Sequence, residues 1–135
     1  MKQKITLLYT NRGRFSKADP RPLEDMNPKE LLLYAAADCL GHTILTMLKE
    51  HSESLHNMEL TVEGTLSSPT LVAESTYTSF HITYRAECKH MKDQTIISRA
   101  INLANDKYCG MLAMLRKIAP TTHETSIVTT GESEQ

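Results

Sequence analysis

One stretch constrains the fold more than any other: residues 27–51, NPKELLLYAAADCLGHTILTMLKEH. It opens with the signals of a helix start. Asn27 stands at the N-cap, Pro28 at the first helical position and Glu30 at the third. In this reciprocal pattern the Asn side chain accepts a backbone N–H and the Glu reaches back. Residues 31–37 carry no charge and are mostly apolar, so the first two turns lack a polar stripe. A helix that is apolar all round is buried all round. At about 25 residues it would run roughly 35 Å, too long to hide inside a small single-layer domain. The expectation is a central helix sheathed by other elements, a second copy of the chain among the candidates, with Cys39 at its middle.

A chain of 135 residues is the right size for one domain, here 1–135, with a core of its own. Its net charge of −1 argues against a nucleic-acid binder, but the charge is uneven: +5 up to Arg21 and −6 beyond it. The basic start reads either as a solvated strand and loop or as the source of one arginine for an anionic site elsewhere. The three cysteines lack the tight pairs of a zinc ribbon or of a secreted disulfide framework. No run approaches the ~18 apolar residues of a membrane span, and MKQKITLLYT has too short an apolar run for a signal peptide. A reducing cytoplasm is therefore the expected compartment, where any disulfide is transient and part of chemistry.

In chain order, residues 4–9 read as a strand and 11–26 as an irregular connector holding Gly13, Pro20 and Pro22. After the central helix, Met58, Leu60, Val62 and Leu66 alternate with polar residues, the period of a strand with one buried face. Ser67-Ser68-Pro69-Thr70 makes a turn. A second, longer arm from about Val72 puts Phe80, Ile82, Tyr84 and Ala86 on one face, completing a hairpin. Asp93 is expected to cap a second helix with apolar residues at helical spacing. Asn105-Asp106-Lys107-Tyr108 interrupts that spacing, and a third helical run goes from Cys109 until Pro120 ends it. Residues 122–130 read as a last strand and 131–135 as a disordered tail. The order β, α, ββ, α, α, β indicates an α+β fold with helices on one face of a mainly antiparallel sheet.

The thiols carry the chemistry. A free cysteine is most simply a small buried hydrophobe. Around Cys39, however, the helix turns polar, and His42 shares its face three residues on. A nucleophilic thiol must be a thiolate, which a nearby cation favours; His42 or an N-terminal arginine could supply one. Cys109 begins a helical run beside Lys107, where free N–H groups and the dipole also favour thiolate. Cys88, at the end of the long strand, reads as structural. The histidines form no paired ligand set for a structural zinc, and no metal is expected. Glu30 is accounted for by its capping role, and it lies about 13 Å along the axis from Cys39.

Two blocks of the chain resemble a known family. NPKELLLYAAADCL is similar to the segment, P-x-E-L-L-L-x-A-x-x-x-C, that opens the core helix of the OsmC/Ohr proteins, the osmotically induced and organic-hydroperoxide-resistance family. INLANDKYCGMLAMLRK is similar to that family's second-cysteine segment, its KYC tripeptide most like the YhfA-like branch. The resemblance runs over roughly residues 31–128. It implies an OsmC-like intertwined homodimer, with two long core helices packed together and wrapped by a sheet from each chain. It also implies a thiol-dependent peroxidase, without cofactor, acting on small organic hydroperoxides. Cys39 would match the peroxidatic cysteine, Cys109 the resolving cysteine that condenses with it, and an external dithiol would reduce the resulting disulfide.

The chain departs from the family's peroxidases in two ways: its N-terminal segment is short, and an acid of the core helix is displaced. Their helix carries a glutamate ten residues before the first cysteine, paired with an N-terminal arginine. Here that position is Lys29, and the acid falls at Glu30. Arg12, Arg14 and Arg21 are candidates for the arginine, with Arg14 preferred; Arg14 and Glu30 accordingly join Cys39 and Cys109 as candidate site residues. The alternative is a non-catalytic dimeric module of the same fold that binds a small apolar or thiol-bearing ligand. A redox sensor with an oxidation-dependent partner contact is a third reading.

Overall fold

The computed structural model describes residues 1–9, 13–51 and 53–130. The expected disordered tail, 131–135, and the candidate Arg12 lie outside them. The described residues form one five-stranded sheet with helices on one face, the α+β class expected from the sequence. Strand β1 is Lys2–Tyr9 and β2 is Phe15–Lys17. Helix α1, Pro28–Met47, leads through a short turn to the hairpin β3, Asn57–Leu66, and β4, Tyr77–Cys88. Helix α2, Lys92–Leu103, runs without a break into a π-helical turn, Ala104–Tyr108; α3, Gly110–Ile118, and β5, Thr121–Thr129, follow. The sheet order is β2-β1-β3-β4-β5. All neighbours are antiparallel except β4 and β5, whose parallel pairing uses the α2–α3 segment as its crossover. No helix among the described residues is long and apolar enough to cross a membrane.

The alternation expected in the hairpin is present. Met58, Leu60, Val62 and Leu66 on β3, and Phe80, Ile82, Tyr84 and Ala86 on β4, all face the core. The second arm starts later than the sequence suggests, at Tyr77, because residues 67–76 form a loop closed by Ser68 and Ser75 side chains. The connector before α1 holds β2 and a 3-10 turn, Leu23–Asp25, and Gly13 turns with φ 82, a conformation that suits glycine. Phe15 of β2 packs its ring against α1 at Gly41. A Cβ there would stand 2.7 Å from its ring, so only glycine admits this approach.

The cap of α1 is as the sequence indicates. Asn27 accepts from Lys29 N and Glu30 N at 3.0 Å each, and Glu30 accepts from Asn27 N at 3.2 Å. The burial of α1 is less complete than an all-apolar helix suggests. Leu33, Ala36, Ala37, Leu40, Gly41 and Ile44 pack on the sheet, while Leu31, Leu32, Tyr34, Leu45 and Met47 are only partly covered. The helix thus keeps partly covered apolar residues on both flanks of its buried face.

Asp93 does not cap α2. Met91 occupies the cap position with no side-chain bond, and Asp93, one residue inside the helix, is buried and accepts from Ser54 Oγ at 3.1 Å. A tertiary partner 39 residues away has taken the carboxylate that local spacing assigned to the cap.

Candidate functional site

The fold brings two of the three cysteines together. Cys39 lies mid-way along α1 and is half-buried; its carbonyl accepts from Thr43 Oγ1 at 2.8 Å. Cys109 lies at the junction of the π-helical turn and α3 and is 2% exposed. Its S–H points at Cys39 Sγ across 3.0 Å. A disulfide needs a sulfur separation of about 2.05 Å, so joining the pair takes a shift of only about 1 Å. Cys88 is elsewhere, fully buried at the end of β4 beside the carbonyls of His90 and Val128.

Cys109 is the N-cap of α3, and its sulfur accepts from Leu112 N at 3.4 Å. That is the thiolate-favouring setting the sequence suggested. It is outweighed. Burial, and then the hydrogen bond to Cys39, push the Cys109 thiol up to about 12, so it stays protonated at neutral pH. Lys107 does not offset this; its Nζ lies over the Tyr108 ring, 5.3 Å from the centroid. His42 turns away from Cys39 as well. Its Nε2 sits 3.3 Å from Asp38 Oδ2, one turn back on the exposed side of α1.

The arginine on Glu30 is Arg21, not the preferred Arg14, which stands exposed in the β1–β2 turn with no ion pair to a described residue. Arg21 NH1 and NH2 donate to the two oxygens of Glu30 at 3.3 and 2.9 Å. Its Nε and NH2 donate to Asp19 Oδ2 at 2.9 and 2.7 Å. The guanidinium beside Asp19 holds that carboxyl down at about 2, and the two acids in turn raise Arg21. Lys17 Nζ donates to the carbonyls of Asp19 and Arg21 and so closes the turn that presents the arginine. Lys29, at the position where the glutamate was expected, reaches out to the carbonyls of Val72 and Ala73 instead. Displacement of the acid by one residue has therefore kept an arginine–glutamate pair at the start of α1. Asp19 was missed in the sequence, although its spacing of two from Arg21 is that of a tight side-chain clamp.

A second polar cluster, unforeseen in the sequence, surrounds the segment carrying Cys109. Asn105 is 3% exposed; its Oδ1 accepts from Tyr84 Oη at 2.7 Å, and its Nδ2 lies 3.0 Å from Asp106 Oδ1 and 3.3 Å from His123 Nδ1. Its backbone carbonyl accepts from Arg116. Burial, followed by the neighbouring Cys109, raises Tyr84 far above the ordinary phenol value, so it is a fixed hydroxyl donor. Among the described residues no group of three or more His, Cys, Asp or Glu is placed to hold a metal ion.

Comparison with known proteins follows the same lines. A model of the OsmC-like protein family matches residues 21–124. Over 104 residues the chain is 27% identical to Protein YhfA of Escherichia coli (strain K12), covering 76% of this chain and 73% of that one. Among solved structures, an OsmC-like protein from Mycoplasma pneumoniae superposes with a TM-score of 0.59 at 15% identity, covering 91% of this chain and 95% of that one. A hypothetical protein from Aquifex aeolicus VF5 gives 0.57 at 21% identity, covering 94% and 97%. At these identities the two structures speak to the fold alone.

Proposed function

This chain belongs to the OsmC-like family, and from that premise we propose that it is a thiol-dependent peroxidase for small organic hydroperoxides. The observation that carries the proposal is the Cys39–Cys109 pair, 3.0 Å apart, with only Cys39 open to solvent. In the proposed cycle the Cys39 thiolate attacks the terminal oxygen of ROOH. The O–O bond breaks, leaving Cys39 as a sulfenic acid and releasing alkoxide, which takes up a proton to become ROH. The Cys109 thiol then condenses with the sulfenic acid, forming the S–S bond and releasing water. An external dithiol reduces this disulfide by exchange, is itself oxidised, and restores both thiols.

The setting fits that division of labour. Cys109 stays protonated and so does not compete for peroxide, while its S–H, aimed at Cys39 Sγ, keeps the two sulfurs in contact. The partly covered apolar residues of α1, among them Leu31, Tyr34 and Leu45 on one flank, support a homodimer, since a second copy of the chain could bury them. Three free thiols fit a reducing cytoplasm.

A second reading keeps the fold without catalysis, as a dimeric module binding a small apolar or thiol-bearing ligand. In its favour, Arg21 and His42 are both engaged by carboxylates rather than by Cys39. Consumption of cumene hydroperoxide with a dithiol reductant, in wild type and Cys39→Ser, separates the two. Turnover in wild type that is lost in the variant establishes the peroxidase. No turnover with any dithiol points to the binding module.

A further inference from the structure

The chain has to place Cys109 with care, because α2 and α3 do not meet in a simple loop. α2 continues into the π-helical turn Ala104–Tyr108, and Cys109 leaves that turn in an extended conformation, φ −97 and ψ 105, before α3 begins. A π-turn is a poor backbone conformer that persists where surrounding contacts hold it, often beside functional groups. Here the contacts converge on one residue.

Asn105 is buried, and each of its polar side-chain atoms has a partner. Tyr84 reaches it from β4, His123 from β5 and Asp106 from within the turn, while Arg116 of α3 holds its carbonyl. The Asp106 carboxylate can only accept, which fixes the amide with its NH2 on that side and its oxygen toward Tyr84. The side chain is therefore locked and ties β4 and β5 to the turn four residues before Cys109, while the backbone carbonyl ties α3. A hydrophobe of the same size would fill the space and keep only the backbone bond to Arg116. The polar residue is needed for position rather than for volume.

We propose that Asn105 is a positioning residue, which with the Tyr84 hydroxyl holds the π-turn in the register that aims Cys109 at Cys39. It touches neither peroxide nor the reacting sulfurs; it sets how often Cys109 Sγ is within reach when Cys39 has been oxidised. This rests on the reading of Cys109 as the resolving thiol.

The test compares wild type with Asn105→Ala and with Tyr84→Phe, the latter keeping the buried ring and removing only the hydroxyl donor. Disulfide formation is followed after one equivalent of cumene hydroperoxide and, separately, with diamide, which takes two electrons from a dithiol without any peroxidase step. The expected result is Cys39–Cys109 disulfide formation slowed about tenfold or more in Asn105→Ala, and less in Tyr84→Phe, with both oxidants. With hydroperoxide, the first oxidation of Cys39 keeps its wild-type rate and more of Cys39 advances to sulfinic acid. Wild-type disulfide rates in folded Tyr84→Phe and Asn105→Ala overturn the inference; if Asn105→Ala does not fold, an unchanged rate in Tyr84→Phe overturns it alone. A wild type that responds to diamide but not to hydroperoxide instead sinks the peroxidase reading, and the variants' diamide rates still decide the role of Asn105. A wild type that forms no Cys39–Cys109 disulfide with either oxidant overturns both.

Discussion

Cys39 and Cys109 touch, yet their surroundings differ in kind. Cys39 lies in mid-helix, half-open, with no helix terminus to help it. Cys109 has the better electrostatic address, at the N-cap of α3 with a backbone N–H on its sulfur, and is almost wholly buried. By the helix-dipole argument Cys109 would be the thiolate. Desolvation outweighs that help, pushing Cys109 up to about 12 and leaving it the proton-bearing donor to Cys39. One N–H bond and a partial dipole charge are worth about 1 kcal/mol, while burying a charge costs several. For a thiol, depth decides before helix position does.

The largest expected effect comes from exchanging the two residues' roles by substitution. Cys39→Ser should abolish both peroxide consumption and disulfide formation. Cys109→Ser should leave the first oxidation of Cys39 near its wild-type rate and send Cys39 on to sulfinic acid, visible by intact mass. Equal loss of first-turnover oxidation in both variants would break the comparison.

A smaller effect is expected in alkylation of the reduced, folded protein at neutral pH. Cys39 should react with iodoacetamide about tenfold or more faster than Cys109, because Cys39 is open to solvent while Cys109 is buried and held protonated. Peptide mapping reads the ratio directly. Raising the pH should narrow the gap only as Cys109 begins to ionise, toward 12.

Stability against alkali sharpens the same point. Cys109 has a folded value above its unfolded one of 9.0, so its contribution is fully present below pH 9 and is lost as pH rises through about 12. Cys109→Ala should show a flatter fall in Tm across that window than wild type, though with a lower starting Tm from the lost buried sulfur.

Arg21→Ala should give the smallest change, a Tm decrease of roughly 1–3 °C, because its ion pairs with Asp19 and Glu30 are open to water. Asp19 has a lowered value, so its contribution is present above pH 4 and lost as pH falls through about 2. The variant and wild type should therefore converge in acid. A Tm loss that persists unchanged at low pH would show that Arg21 acts by packing rather than by charge.

What could be read in the sequence was what neighbours along the chain determine. Asn27, Pro28 and Glu30 announce the start of α1, and the alternation on β3 and β4 gives their buried face without knowledge of any partner. Most of what escaped depends on residues far apart or on how a local turn closes. Asp93 was assigned to a cap because Ser54, its partner, is 39 positions away. Arg14 was preferred to Arg21 because the clamp of Asp19 and Lys17 becomes visible only when the turn is closed. Asn105 read as a break in helical spacing, whereas β4 and β5 hold it inside a π-turn. The thiolate-favouring setting of Cys109 could be read from its helix position, but the burial that outweighs it is a property of the packed molecule. The pairing of Cys39 with Cys109 rested on likeness to the OsmC/Ohr segments and not on spacing, since the two are 70 positions apart with strands and a helix between them.

The most direct test of the central claim is mass spectrometry of the reduced protein after one equivalent of an organic hydroperoxide. The account predicts an intact mass lower by two hydrogens and a single cross-linked peptide joining Cys39 to Cys109, with Cys88 still a free thiol. A Cys39 that remains reduced while peroxide persists, or a disulfide that involves Cys88, would contradict it.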